Sequence, residues 1–298
     1  MPIFNSDLVT DVARRRAVLF LGSGVSASAR TRSGTRVRDW ETFLDHASDL
    51  IQENTVKAVV KSKLGEKDFL LACEIIKQNI EAEEWRNLIY NEFSQIAEPS
   101  DLQKAIVSLD PRIIITTNFD KMVEGAFPIV DRNAENYPIT ISKLDSSVFQ
   151  ALRDDRRYII KLHGSIDGPN DLIFSKADYI QNAFGNRIYN DFVEAVLTSF
   201  TVVFIGFSMS DPAIALLIEK YVQKYPNLRP HYIFQQEPID RSVEDISRRL
   251  RRLHPIKYAA GDNHEDLPIK LEELRKQAEA RRKELLAEAT VKATSHVF

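Results

Sequence analysis

Near-continuous apolar runs recur along this chain, and each ends in a cluster of small or polar residues. AVLFL (17–21), RIIIT (112–116), YIIKL (158–162) and TVVFI (201–205) show little alternation, as expected of strands covered on both faces. YPITIS (137–142) alternates like a strand, and HYIFQQ (231–236) and PIKYA (255–259) complete the set. DLIF (171–174) has the length of a short edge or hairpin strand.

Helical spacing fills the intervals. Residues 5–14 form an amphipathic segment opened by Asn5 or Ser6, both good helix caps. From Trp40 to about Phe93 three helical patterns follow one another, so residues of about 40–108 are expected to hold a helical insertion over the sheet. Helices are expected at FDKMVEGAF, KADYIQNAF, IYNDFVEAVLTSF, DPAIALLIEKYVQK and SVEDISRRLRRL. Pro212 falls in the first turn of its helix, where its missing N–H costs nothing. Strand–helix repetition predicts an α/β, Rossmann-like architecture, a mainly parallel sheet with helices on both faces. From about 265 to 288 the chain is rich in strong helix formers, with Leu267, Leu271, Leu274, Ala278 and Leu285 as its apolar stripe. The expectation is one domain over residues 1–288 and a polar tail over 289–298.

Composition narrows the function classes. The 298 residues are 44% hydrophobic and 28% charged with a net charge of −3, so no global charge recruits nucleic acid. The N-terminus lacks the features of a signal peptide and no apolar run approaches a membrane span. Cytoplasmic residence is therefore expected. The single cysteine, Cys73, rules out an internal disulfide and a cysteine-rich zinc module. Its apolar helical surroundings suit a buried structural thiol.

The candidate chemistry lies at the strand ends, where open α/β sheets bind ligands. Gly22-x-Gly24-x-x-Ala27 follows the first strand and matches the start of a dinucleotide fingerprint. Its glycines permit close backbone approach to a pyrophosphate, and Ser23 and Ser26 add hydroxyls. The acidic residue that usually follows on the next strand is missing, which disfavours an ordinary hydride-transfer domain. Thr117, Asn118 and Asp120 follow the strand at 112–116. Asn and Asp there are also common helix caps, which explains one of them better than the pair. An amide can hold a ribose hydroxyl or a water, and a carboxylate can accept from a carboxamide. His163 ends YIIKL and has the acid–base range of a general base. The other histidines lack metal-ligand spacing. Gly206 and Ser208 repeat the strand–glycine–hydroxyl device, whereas Asp211 reads as a helix cap. Gly261-Asp262 suits an adenine edge or a plain turn, and the basic loop at Arg30–Arg38 a solvated loop or a gate.

Taken together, these residues resemble the sirtuin (silent information regulator) superfamily over about residues 15–265. Gly22-Ser23-Gly24-Val25-Ser26 resembles that family's Gly-Ala-Gly-Ile-Ser loop, and Thr116–Asp120 its Thr-Gln-Asn-Ile-Asp motif. His163-Gly164-Ser165 is similar to its His-Gly-Ser, and Gly206-Phe207-Ser208 to its Gly-Thr-Ser. The resemblance implies NAD+ bound as substrate, Asn118 at the nicotinamide ribose or a water, Asp120 at the carboxamide and His163 as general base. The four-cysteine zinc module and the acyl-peptide Phe-Gly-Glu segment of deacylating sirtuins are absent, so no metal is expected. The combination resembles the NAD-hydrolysing effectors of bacterial anti-phage defence, which act with an activating domain or partner. Little chain remains for such a domain, so self-assembly or a partner protein is implied, with a HerA-like hexameric ATPase as one family arrangement. An NAD-dependent protein deacylase and a non-catalytic NAD- or ADP-ribose-binding regulator are the alternative readings.

Overall fold

Leu21, Thr116, Lys161 and Ile205 form one row across four neighbouring parallel strands, because Thr116 is in register with both Leu21 and Lys161, and Leu21 with Ile205. The row comes from a computed structural model that describes residues 4–31, 34, 38–94, 97–168, 171–209, 211–261 and 263–295. Its strands are β1 (Ala17–Leu21), β2 (Arg30–Thr31), β3 (Ala97–Glu98), β4 (Ile113–Thr116), β5 (Ile139–Ile141), β6 (Tyr158–Lys161), β7 (Thr201–Ile205), β8 (His231–Gln236) and β9 (Leu253–Tyr258).

A seven-stranded sheet runs in the order β5-β6-β4-β1-β7-β8-β9, with every pair parallel. From β1 the chain passes first to β4 on one side and later to β7 on the other. β1 is thus the point where strand order reverses, and the crevice beyond its carboxyl end is the expected ligand position. All residues of β1, β4, β6 and β7 are buried, as near-continuous apolar runs require.

Alternate side chains serve two cores. Leu19, Leu21, Ile114, Val203 and Ile205 pack with the helices Ser6–Ala13, Asp101–Ser108 and Asp266–Ser295. Val18, Phe20, Ile113, Ile115, Val202 and Phe204 pack with the helices Arg187–Ser199 and Pro212–Lys224. The stripe Leu267, Leu271, Leu274 and Ala278 is buried in the first core, with Leu285 packed against it, and this helix continues to Ser295, into the expected tail.

The helices Trp40–Ser48, Asn54–Gly65, Phe69–Asn79 and Ala82–Phe93 build a third core around Phe43, Cys73 and Trp85. Phe119, Ile166 and Phe174, from the loops after β4 and β6, join that core. The insertion is thereby fastened over the strand ends. Cys73 is buried there, and burial raises its thiol pKa well above the usual value.

One local expectation fails, and one expected helix takes an unusual form. Residues 171–174 form no strand. Leu172, Ile173 and Phe174 are nonetheless buried, because the segment folds under the insertion, with Ile173 N–H donating to His163 O at 3.0 Å. The helix at KADYIQNAF widens into a π-helix over Tyr179–Phe184, shown by Gly185 N–H donating to Ile180 O at 2.9 Å. Among the described residues, no helix is long and apolar enough to cross a membrane.

Candidate active site

The glycine turn after β1 is pressed against the turn after β7. Gly22 N–H donates to Ile205 O and Gly24 N–H to Gly206 O, both at 3.0 Å. A Cβ on Gly22 would lie 2.4 Å from Gly206 O. Gly206 itself has φ +60°, in the left-handed region that favours glycine. These glycines therefore make a backbone seam between two strand ends. The N–H groups of Gly22 and Gly24 are committed to it.

The loop after β4 is fixed from three sides. Asn118 donates through Nδ2 to Gly22 O at 2.9 Å, and its own N–H donates to Thr116 Oγ1 at 3.1 Å. Asp120 is buried and accepts from Ser26 Oγ and from Met122 N–H. Asp120 lies just before the helix Met122–Val130, whose N-cap is Lys121, and ties the loop after β4 to the turn after β1. The Lys161 side chain, 1% exposed, donates to Asp120 O and to Glu124 Oε1. A buried ammonium requires such partners, and here they clamp the loop that carries Asn118.

His163 is buried at the end of β6, next to Gly164, whose φ of +88° turns the chain back beneath Asp171. Its Nε2 lies 3.2 Å from Tyr189 Oη and 3.5 Å from Asp211 Oδ2. Tyr179 Oη donates to that same Oδ2 at 2.8 Å, and Ile214 N–H donates to Asp211 Oδ1 at 3.0 Å. Burial lowers the His163 pKa from its ordinary 6.5, and the Asp211 carboxylate partly opposes it. Burial thus favours the neutral imidazole, the state a base needs.

One cavity of about 120 Å³ gathers these groups. Gly22, Ser23, Ser26 and Thr117 line it together with Asn118, Asp120, His163 and Ser208. Trp40, Phe174 and Tyr179 add aromatic walls. Gly24 and Gly206 do not line it. They face an adjoining cleft of about 810 Å³, whose wall shares Ser23, Ala27, Phe207 and Ser208 with the first. The two spaces lie either side of the glycine seam, a shape that fits a dinucleotide.

Arg38 stands at the first cavity, and its guanidinium and N–H are both held by the buried carboxylate of Glu92. Most of the basic loop before it, and Asp262, lie outside the described residues; Gly261 O accepts from Gln236 Nε2 at 3.0 Å. Sequence reasoning missed Tyr179 and Tyr189 and gave Asp211 only its capping role. Asp211 alone carried a signal, as a carboxylate three residues beyond Ser208 at the same strand end.

Residues 112–256, from the start of β4 to β9, match the family model of the SIR2-like domain. That segment is SIR2-like. Its relatives include an NAD(+) hydrolase ThsA of Cytobacillus dafuensis, 24% identical over 219 residues, covering 73% of this chain and 40% of that protein. A second NAD(+) hydrolase ThsA, of Bacillus cereus (strain MSX-D12), is 23% identical over 256 residues, covering 84% of this chain and 50% of that protein. Defense-associated sirtuin 2 of Bacillus subtilis is 22% identical over 233 residues, 76% of this chain and 21% of that protein. The chain thus aligns with half or less of each of these relatives. The family match begins after the glycine turn of β1, so geometry, rather than that match, brings Gly22, Ser23 and Ser26 to the same cavity as Asn118 and His163.

Proposed function

We propose that this chain hydrolyses the nicotinamide–ribose bond of NAD+, giving nicotinamide and ADP-ribose. The observation that carries the reading is the shared cavity of Asn118 and His163, with a larger cleft adjoining it at Ser23, Ala27, Phe207 and Ser208. The names of two relatives, both NAD(+) hydrolases, support the same substrate.

The positively charged pyridinium leaves as neutral nicotinamide, so no general acid is required. Positive charge then develops at the ribose C1′. With Nδ2 committed to Gly22, Oδ1 is the Asn118 atom that accepts from a ribose hydroxyl or the attacking water. Fixed dipoles in a site closed by aromatic walls stabilise such charge without reorganising. Neutral His163 takes the proton as the C1′–oxygen bond forms, and bulk solvent receives it afterwards. The Asp120 carboxylate has four lone-pair positions, so a contact with the carboxamide is compatible with its bonds to Ser26 and Met122. Ser23 and Ser208, lining both spaces, meet the diphosphate.

In the cell the reaction would deplete NAD+ as an anti-phage response, switched on by self-assembly or by a partner such as a HerA-like ATPase. A relative named as a defence-associated sirtuin supports that setting. The test is to incubate the purified chain with NAD+, alone and with proteins encoded beside it, and to identify products by mass. Nicotinamide with ADP-ribose is the expected result. Intact NAD+ in every assembly would overturn the reading, and release that depends on an acyl-lysine peptide would favour a deacylase.

A further inference from the structure

The Asp211 carboxylate does more than cap the helix Pro212–Lys224. Oδ1 accepts from Ile214 N–H at 3.0 Å, the ordinary capping bond, while Oδ2 faces His163 Nε2 at 3.5 Å and accepts from Tyr179 Oη at 2.8 Å. Donors on both oxygens fix the plane of the carboxylate, and only 9% of the residue is exposed.

Tautomer energetics follow from this placement. An ionised carboxylate is acceptor-only. With the imidazole proton on Nδ1, the lone pair of Nε2 would face Oδ2, acceptor against acceptor in a buried site. With the proton on Nε2, Asp211 attracts it and Tyr189 Oη, 3.2 Å away, can also accept it. We infer that Asp211 is a positioning residue that holds the proton of His163 on Nε2, so that Nδ1 is the nitrogen that accepts a proton from substrate or water. What the base does rests on the NAD+-hydrolysis reading; the tautomer does not.

The surrounding groups sharpen the case. Tyr179 comes from the π-helical turn and Tyr189 from the helix Arg187–Ser199. Burial first, and Asp211 second, raise both tyrosine pKa values well above 10, and burial raises the Cys73 thiol too. All three are neutral near pH 7, so Asp211 supplies the charge that His163 feels from these elements. A π-helix at this spot is itself suggestive, since such segments are frequent at functional sites.

The wild-type protein, labelled with 15N-histidine, gives the first test, with the His163 signal assigned from a His163→Gln spectrum. Nitrogen shifts of a protonated Nε2 and an unprotonated Nδ1 are expected; the opposite tautomer would overturn the inference whether or not NAD+ is hydrolysed. The second test is Asp211→Asn. Asn caps a helix as well as Asp does and keeps the shape, so a role confined to capping leaves the rate and pH profile unchanged, and that result would also overturn the inference. Positioning instead predicts a kcat lower by about tenfold or more, little change in KM for NAD+, and an acid limb moved to lower pH because the charge that opposes desolvation is gone. If the wild type releases no nicotinamide in any assembly, the hydrolysis reading fails, and the nitrogen shifts still decide the role of Asp211.

Discussion

The side-chain amide of Asn118 donates to the backbone carbonyl of Gly22 at 2.9 Å, so the loop after β4 and the turn after β1 hold each other in place. One residue thereby links the glycine seam to the proposed ribose site. Aspartate has nearly the same shape but cannot donate when ionised. Asn118→Asp is expected to set two acceptors against each other, to cost about 1–2 kcal/mol of stability, and to suppress nicotinamide release. Urea unfolding and a release assay on the same preparation check both effects. Undiminished activity would show that the amide donor is dispensable.

The seam makes a second prediction. A Cβ on Gly22 would lie 2.4 Å from Gly206 O and 2.8 Å from Phe207 Cα, contacts that only backbone movement relieves. Gly22→Ala is expected to destabilise by about 2–3 kcal/mol. Gly65, at the end of the helix Asn54–Gly65, has open space around its missing Cβ. Gly65→Ala is expected to be neutral or to stabilise by up to about 1 kcal/mol. Equal midpoints for the two variants in urea would show that the seam is not rigid.

Acid sensitivity is expected from the other end of the sheet. His231 is buried, its Nδ1 accepts from Val202 N–H at 3.1 Å, and burial pushes its pKa from 6.5 down to about 4. As pH falls, the unfolded chain takes up this proton before the folded one does. Stability present above pH 6.5 is therefore lost between about 6.5 and 4, by up to about 3 kcal/mol. Burial lowers His163 and His254 too, so they act in the same direction. Unfolding free energies measured across that window should slope downward toward acid, and His231→Gln should flatten the slope by about one proton. An unchanged slope would contradict the assignment.

Legibility in the sequence followed the physics of each element. The strands ending at Leu21, Thr116, Lys161 and Ile205 were readable because burial on both faces leaves an apolar run, and a strand end that meets ligand leaves a polar cluster. Their alignment into one row depends on register, to which apolar runs are blind. DLIF misled for a related reason: Leu172 and Phe174 are buried in the core of the insertion and Ile173 in the second core of the sheet, not by a ladder. The glycines were identifiable, but their partner was not, since Gly22 and Gly206 are far apart in the chain and meet only when β1 and β7 pair. Tyr179 and Tyr189 lie in helical stretches where an aromatic reads as core, and they are core residues that also carry hydroxyls to Asp211 and His163.

The most direct measurement is nicotinamide release by wild type, Asn118→Ala and His163→Ala, each in the same assembly and each shown to unfold cooperatively. Turnover by the wild type, with losses of about 100-fold or more in both variants, is the predicted result. Release from either variant at the wild-type rate would contradict the claim that the amide at 118 and the imidazole at 163 act on one ribose.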